Sequence, residues 1–212
     1  MKKIIVTIDG PAASGKEKIS KYINKKWGLV HLDSRILYRR LASILLNEKI
    51  NLNNKDDIKK QIKTLKVFNF KNNKTLRSQI ISKASSKIAV YSFVRDFINQ
   101  LQYDYVKKNE NPQGFVIDGR DIGSKVFKNA DLKLYIDVNP IIRAKRRYKQ
   151  LIDNGEKSIY PKILKDIKLR DKKDSIRKIS PLVIPKGSYI IDNNGTFENT
   201  RKQINNLLIK FK

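Results

Sequence analysis

The chain is most tightly constrained by its first sixteen residues. Ile4-Ile5-Val6-Thr7-Ile8 is an apolar run of buried-strand type, and it leads directly into Asp9-Gly10-Pro11-Ala12-Ala13-Ser14-Gly15-Lys16. A strand followed by Gly-x-x-x-x-Gly-Lys and then by helical spacing wraps backbone N–H groups around a chain of phosphates. The glycines let the backbone curl against an anion, Lys16 adds a mobile positive charge, and the next helix aims its positive end at the same spot. Residues 10–18 are therefore the candidate phosphate-binding set. The motif departs from its general form at Glu17, where a Ser or Thr hydroxyl on Mg²⁺ is usual, and continues with Lys18.

The remainder of the chain repeats the strand-then-helix order. Apolar runs at 4–8, 29–32, 114–117, 132–138 and 189–191 read as buried strands. Helical patterns cover 16–27, 36–46, 88–106, 140–151 and 197–211, with Asn193-Asn194-Gly195 as a turn before the last. Alternation of this kind predicts a parallel sheet covered by helices, within one α/β domain over 1–212. Two charged stretches interrupt it. Residues 47–77 hold one strand-like run at 67–70 and an Asn72-Asn73 turn, and 154–177 contain a lysine-rich helix over 161–170 suited to a mobile lid.

Composition excludes several chemistries. The chain has no cysteine and one histidine, His31, so disulfides, thiolate metal sites and multi-histidine sites are all closed to it. His31 lies in an apolar run and reads as structural. No protein metal site is expected. The opening Met1-Lys2-Lys3 leads straight into a strand, and no apolar run reaches membrane-spanning length, so a cytoplasmic protein without membrane contact is expected. A formal net charge of +27 suggests nucleic acid, but lysine is spread evenly among Ile and Asn instead of forming a stripe. Only non-specific, salt-sensitive binding to polynucleotides is expected from it. No long apolar stripe demands a partner, which favours a monomer.

Arginine placement is more informative, because a guanidinium grips phosphate or carboxylate in two-pronged geometry. Arg35, Arg39 and Arg40 lie just after the strand end at Asp33-Ser34, and Arg120 just after another at Asp118. Ligands in open α/β sheets bind beyond such strand ends. Arg143, Arg146 and Arg147 share one helix, near Arg170 and Arg177 of the lid segment.

Taken together these elements resemble bacterial cytidylate kinase: Gly10 to Lys16, Leu32-Asp33-Ser34 with Tyr38-Arg39, Val94-Arg95, Asp118-Gly119-Arg120-Asp121-Ile122-Gly123, Arg143-Ala144-Lys145-Arg146-Arg147, and Arg170-Asp171 to Pro181-Leu182. The resemblance implies a P-loop nucleoside monophosphate kinase fold: a five-stranded parallel sheet, a small monophosphate-binding insertion over about 39–90 and a helical lid over about 147–177. It implies transfer of the γ-phosphoryl group of ATP, with Mg²⁺, to CMP or dCMP. Catalytic roles would fall to Lys16, Asp33, Arg143, Arg147 and Arg170, with Asp33 ordering magnesium-bound water. Ser34, Arg39 and Arg120 would surround the monophosphate or nearby sugar, and Ser86, Arg95, Asp121, Asp174 and Arg177 the base and ribose. Asp121 gives a physical basis for selectivity, since a carboxylate accepts from the N4 amino group of cytosine and faces oxygen in uracil. Two alternatives are a kinase of another small phosphorylated acceptor and a non-catalytic basic protein that binds nucleic acid. The chain departs from the family at Glu17-Lys18, where Gly and then Ser or Thr are usual, and its stretch over 47–74 is short.

Overall fold

Five strands, each ending on an aspartate, form the sheet: β1 (Ile4–Asp9), β2 (Val30–Asp33), β3 (Gly114–Asp118), β4 (Leu132–Asp137) and β5 (Tyr189–Asp192). The computed structural model describes residues 3–65, 68–70, 73, 75–111, 113–153 and 155–209. Strand order is β2-β3-β1-β4-β5, and β1 pairs in parallel with both β3 and β4, as β4 does with β5. The apolar alternation was expected to stop at the last aliphatic residue of each run. Except in β4, the ladder extends one residue further, to a carboxylate that turns back to accept hydrogen bonds or an ion pair near the strand end.

The chain divides into two compact units, Met1–Leu32 with Asn111–Lys212 and, separately, Asp33–Glu110. In the first unit, α1 (Lys16–Trp27), α6 (Pro140–Asp153), α7 (Tyr160–Ile176) and α8 (Phe197–Leu208) accompany the sheet. Its core includes Val6 and Ile8 of β1, Ile19 and Ile23 of α1, Val116, Leu134, Ile136, Ile191 and Ile204. Ile19 and Ile23 lie four apart on one helical face and are fully buried. Each such side chain contributes about 1.5–3 kcal/mol of transfer free energy. Gly28 ends α1 in the left-handed conformation at φ 67°.

The second unit is helical: α2 (Ser34–Asn47), α3 (Lys55–Thr64), α4 (Gln79–Ile88) and α5 (Ser92–Lys108). Leu37, Leu41, Leu45, Ile58, Leu76, Ile88, Val94 and Ile98 are among its buried apolar residues. The single helix expected over 88–106 is two helices, because α4 ends at Ile88 and Tyr91 takes an extended conformation (φ −84°, ψ 128°) before α5 begins. In the strand-like run at 67–70, residue 67 lies outside the described residues, as does residue 72 of the expected turn. Phe68 and Phe70 are not in a strand: they pack on Phe97 (5.8 Å, edge-on) and Tyr105 (4.6 Å, stacked) of α5.

Candidate active site

The loop between β1 and α1 closes on its own lysine. Lys16 is buried, and its Nζ donates to the carbonyls of Gly10 and Pro11, both at 2.7 Å, and to Ser14 Oγ at 3.1 Å. The ammonium therefore sits inside the curl that the sequence reserves for phosphates. Gly15 permits the curl: its φ is +87°, and a Cβ there would lie 2.6 Å from Asn193 Nδ2. Ala13, at φ 58°, takes the left-handed conformation without that freedom.

Three residues beyond the loop hold it in shape. Asn193, in the turn after β5, donates from Nδ2 to Ser14 O at 2.8 Å, and its own Oδ1 accepts from buried Thr200 at 2.7 Å. Arg143 on α6 is also buried; it donates to Val138 O at 2.9 Å, to Ala12 O at 3.1 Å and to both oxygens of Asp171 on α7. One guanidinium thus ties the end of β4, the loop and α7 together.

Asp9 joins the loop to the Asp-Gly-Arg-Asp-Ile-Gly element. It is fully buried at the end of β1, and its two oxygens accept from the backbone N–H groups of Ile122 (2.8 Å) and Gly123 (2.7 Å). Those donors open a π-helical turn, Ile122–Val126. Burial raises the Asp9 carboxyl to about 6; the two backbone donors and Lys16 oppose the rise and Asp121 adds to it. Asp118 of β3, equally buried, accepts from Ser20 Oγ at 3.0 Å and meets His31 Nε2 at 2.7 Å, so His31 is structural as expected.

Arg120 turns to α7. Its Nε donates to Asp174 Oδ2 at 2.9 Å, and Arg177 reaches Asp174 Oδ1 at 3.3 Å. Burial pushes the Asp174 carboxyl up, but Arg120 and Arg177 outweigh it and, with Arg170 one turn earlier, hold it below the usual carboxylate range. Asp121 is buried beside this pair and carries the backbone carbonyl that receives Lys125 N and Val126 N. On α6, Arg146 donates to the carbonyls of Asn193 (2.8 Å) and Gly195 (2.9 Å), closing the turn after β5, and Arg147 reaches Gln150 at the surface.

The sequence-predicted residues of the second unit are described by themselves. Asp33 caps α2 by accepting from Arg35 N at 3.0 Å, and Arg35 also grips both its oxygens, at 2.8 and 2.6 Å. Ser34 is buried at the first position of α2. Arg39 reaches Leu76 O and Ser82 Oγ, each at 3.3 Å. Arg95, buried on α5, donates to Ala89 O at 2.7 Å and lies 5.8 Å from the Tyr38 ring, while exposed Ser86 bonds Ser82 O at 3.0 Å.

A family model for cytidylate kinase matches residues 6–210. The chain is 42% identical over 187 residues to the cytidylate kinase of Rickettsia felis, covering 88% of this chain and 83% of that protein. It belongs to the cytidylate kinase family. A second relative, the cytidylate kinase of Rickettsia akari, is 41% identical over 191 residues, covering 90% of this chain and 84% of its own. Among solved structures, TT1252 from Thermus thermophilus shares the fold at a TM-score of 0.53 and 15% identity, over 100% of both chains.

After Lys16 in the phosphate loop, Glu17 and Lys18 take separate partners. Glu17 pairs with Lys21 one turn on at 2.8 Å, whereas Lys18 Nζ lies 4.1 Å from the centre of the Phe197 ring. Sequence reasoning misses Asp9, Asp171, Asn193 and Thr200 as parts of the site. Asp9 is legible in principle, as a carboxylate ending the strand that feeds the loop; Asn193 acts across more than a hundred residues, Thr200 acts through Asn193, and Asp171 acts from another helix through Arg143, and no local signal marks them. Among the described residues no cluster of three His, Cys, Asp or Glu could hold a metal, and no helix is long and apolar enough to cross a membrane.

Proposed function

We propose that this chain transfers the γ-phosphoryl group of ATP to CMP or dCMP, yielding ADP and CDP or dCDP. An oxygen of the acceptor's monophosphate bonds to the γ-phosphorus as the bond from that phosphorus to the β,γ-bridging oxygen breaks, and the leaving pair stays on ADP. Such transfers need in-line positioning and positive charge more than covalent help, which suits a site without cysteine and with a structural histidine. The observation that carries the reading is the pair of hydrogen bonds from Ile122 and Gly123 to Asp9. Through one carboxylate they fix the element bearing Arg120 and Asp121 to the strand that launches the phosphate loop.

Lys16 would track the charge on the ATP phosphates, with Arg143 on α6, and Arg147 and Arg170 from the lid over about 147–177, supplying positive charge. Arg143 has a second duty as the tie between Ala12 and Asp171. Asp121 would accept from cytosine N4, with Ser86 and Arg95 donating to the remaining base acceptors. Ser34, Arg39 and Arg120 are assigned to the monophosphate or nearby sugar, Asp174 and Arg177 to the base and ribose, and the segment over about 39–90 to acceptor binding; the family's motifs support these roles residue by residue. Mg²⁺ would neutralise phosphate charge. With Glu17 held by Lys21, the described residues offer it no protein cage, so it would be held by the nucleotide's own phosphates and by water, one of them ordered by Asp33. A cytoplasmic monomer belongs to the same proposal.

The test is ADP formation from ATP and Mg²⁺ with CMP, dCMP, UMP and AMP offered separately. Turnover with CMP and dCMP, and much less with UMP and AMP, is the expected result. Preference for another acceptor would reassign the substrate, and no turnover by folded protein would leave a non-catalytic nucleotide-binding chain.

A further inference from the structure

Thr7 precedes Asp9 by two residues on the same face of β1, fully buried, and its hydroxyl oxygen has no hydrogen-bond partner among the described residues. A buried hydroxyl left unpaired costs free energy, so its place on the strand calls for a reason in what it touches. It faces Gly123. A Cβ on that glycine would stand 2.7 Å from Thr7 Oγ1, 3.3 Å from Asp9 Oδ2 and 3.3 Å from Cγ of buried Pro185, all inside the roughly 3.5 Å of an ordinary contact. Gly123 does not have a positive φ, so close approach and not backbone conformation is what asks for glycine there. Its bare face is wedged between β1 and the stretch that leads from α7 back to β5, and Thr7 fills the β1 side of the wedge. Gly123 also belongs to the turn that presents Asp121: Asp121 O accepts from Lys125 N at 2.9 Å and from Val126 N at 3.2 Å, while Asp9 holds Ile122 N and Gly123 N. The Asp9 bonds tether this element to the strand, and the Thr7 contact limits how near it comes.

We infer that Thr7 and Gly123 are specificity-determining positioning residues: the contact between them sets the depth at which the Asp-Gly-Arg-Asp-Ile-Gly element seats on β1, and with it the distance from the Asp121 carboxylate to the base edge of the acceptor. The inference rests on the assignment of Asp121 to the cytosine amino group. Reading a base through one carboxylate tolerates little displacement, since a misplacement of about 1 Å can cost about 100-fold in rate. Both residues act through Asp121, so their effect falls on the discrimination between bases, while the phosphate loop keeps its affinity for the donor.

Reciprocal size changes test this on the full chain, with kcat/KM for CMP and for UMP measured beside calorimetric binding of ADP. Gly123→Ala, which drives its Cβ into Thr7, is expected to lower the preference for CMP over UMP about tenfold or more. Thr7→Ala, which empties the β1 side and lets the element settle, is expected to lower it about threefold. Together the two changes move side-chain volume from one partner to the other, so the double variant is expected to return to within about twofold of the parent, with ADP affinity within about twofold in all three. Effects that multiply in the double variant would overturn the inference, as would ADP weakened in step with CMP. Fluorescence of Trp27, the single tryptophan, on α1, checks that each variant is folded. If Gly123→Ala does not fold, Thr7→Ala decides alone, and an unchanged preference in it would overturn the inference. A parent that turns over CMP and UMP equally removes the Asp121 assignment and the inference with it; a CMP-selective parent whose single variants keep that selectivity removes the inference alone.

Discussion

Replacing Asp9 by Asn changes the charge of a fully buried carboxylate in the site and almost nothing of its size, so its consequence can be worked out. In the folded chain the Asp9 carboxyl is raised from 3.8 to about 6, chiefly by burial. Between those values the folded state holds a proton that the unfolded chain has released. A raised carboxyl contributes stability that is fully present below the unfolded value and is lost as pH rises through the folded one. A rise of roughly two units corresponds to about 3 kcal/mol, of which most is lost between pH 4 and pH 7. Asparagine carries no such dependence, but its amide accepts through one oxygen and leaves one of the Ile122 and Gly123 donors without a partner, at about 1–3 kcal/mol. Between pH 4.5 and pH 7.5 the stability difference between parent and variant should therefore shift by about 2 kcal/mol in the variant's favour. Asp174 does not blur the result: its carboxyl is lowered, so its contribution is present above the unfolded value and falls away only in more acidic solution. Urea titrations tracked by Trp27 fluorescence, at half-unit steps of pH, provide the measurement. A stability difference independent of pH would refute the reasoning, because it would mean that Asp9 stays ionised throughout.

Other perturbations test the remaining joints. Gly15→Ala should cost about 1–2 kcal/mol for the left-handed backbone alone, and more as its Cβ drives the Asn193 amide from Ser14; weakened ADP binding in calorimetry is the expected companion. Thr200→Val removes the donor to Asn193 Oδ1 in a fully buried position and should lower stability by about 1–3 kcal/mol in urea titrations. Asp121→Asn should reduce the preference for CMP over UMP by about 10-fold or more in kcat/KM, since an amide can present either a donor or an acceptor to the base.

Much of the fold is legible in the sequence for reasons that can be named. The order of the five strands along the chain and the bounds of α1 derive from apolar runs and from Gly28, because buried parallel strands carry their signal locally. The break between α4 and α5 is not visible there, since residues 89–91 keep helical spacing and only Tyr91's extended backbone interrupts it. Within the charged stretch after Asn47, α3 escapes notice although Asn54 caps it at 3.0 and 3.3 Å from the N–H groups of Asp56 and Asp57, with those two acids in its first turn. Its single fully buried residue, Ile58, gives too little periodicity to outweigh the charge around it. The phosphate loop and Asp-Gly-Arg-Asp-Ile-Gly are evident as motifs. Their mutual anchoring through Asp9 spans more than a hundred residues, and a motif search cannot see a hydrogen bond. Arg120 shows the same limit: its neighbour in sequence is Asp121, yet its ion pair is with Asp174.

The central claim is that a phosphate loop with Glu17 and Lys18 after its lysine directs phosphoryl transfer through Lys16. It is tested most directly by tracing label from γ-³²P-ATP in a single turnover with CMP, comparing the parent with Lys16→Ala. Label appearing in CDP with the parent, and at least about a hundredfold more slowly with the variant, is the result the account predicts. Label released only as inorganic phosphate, or transferred equally fast without Lys16, would contradict it.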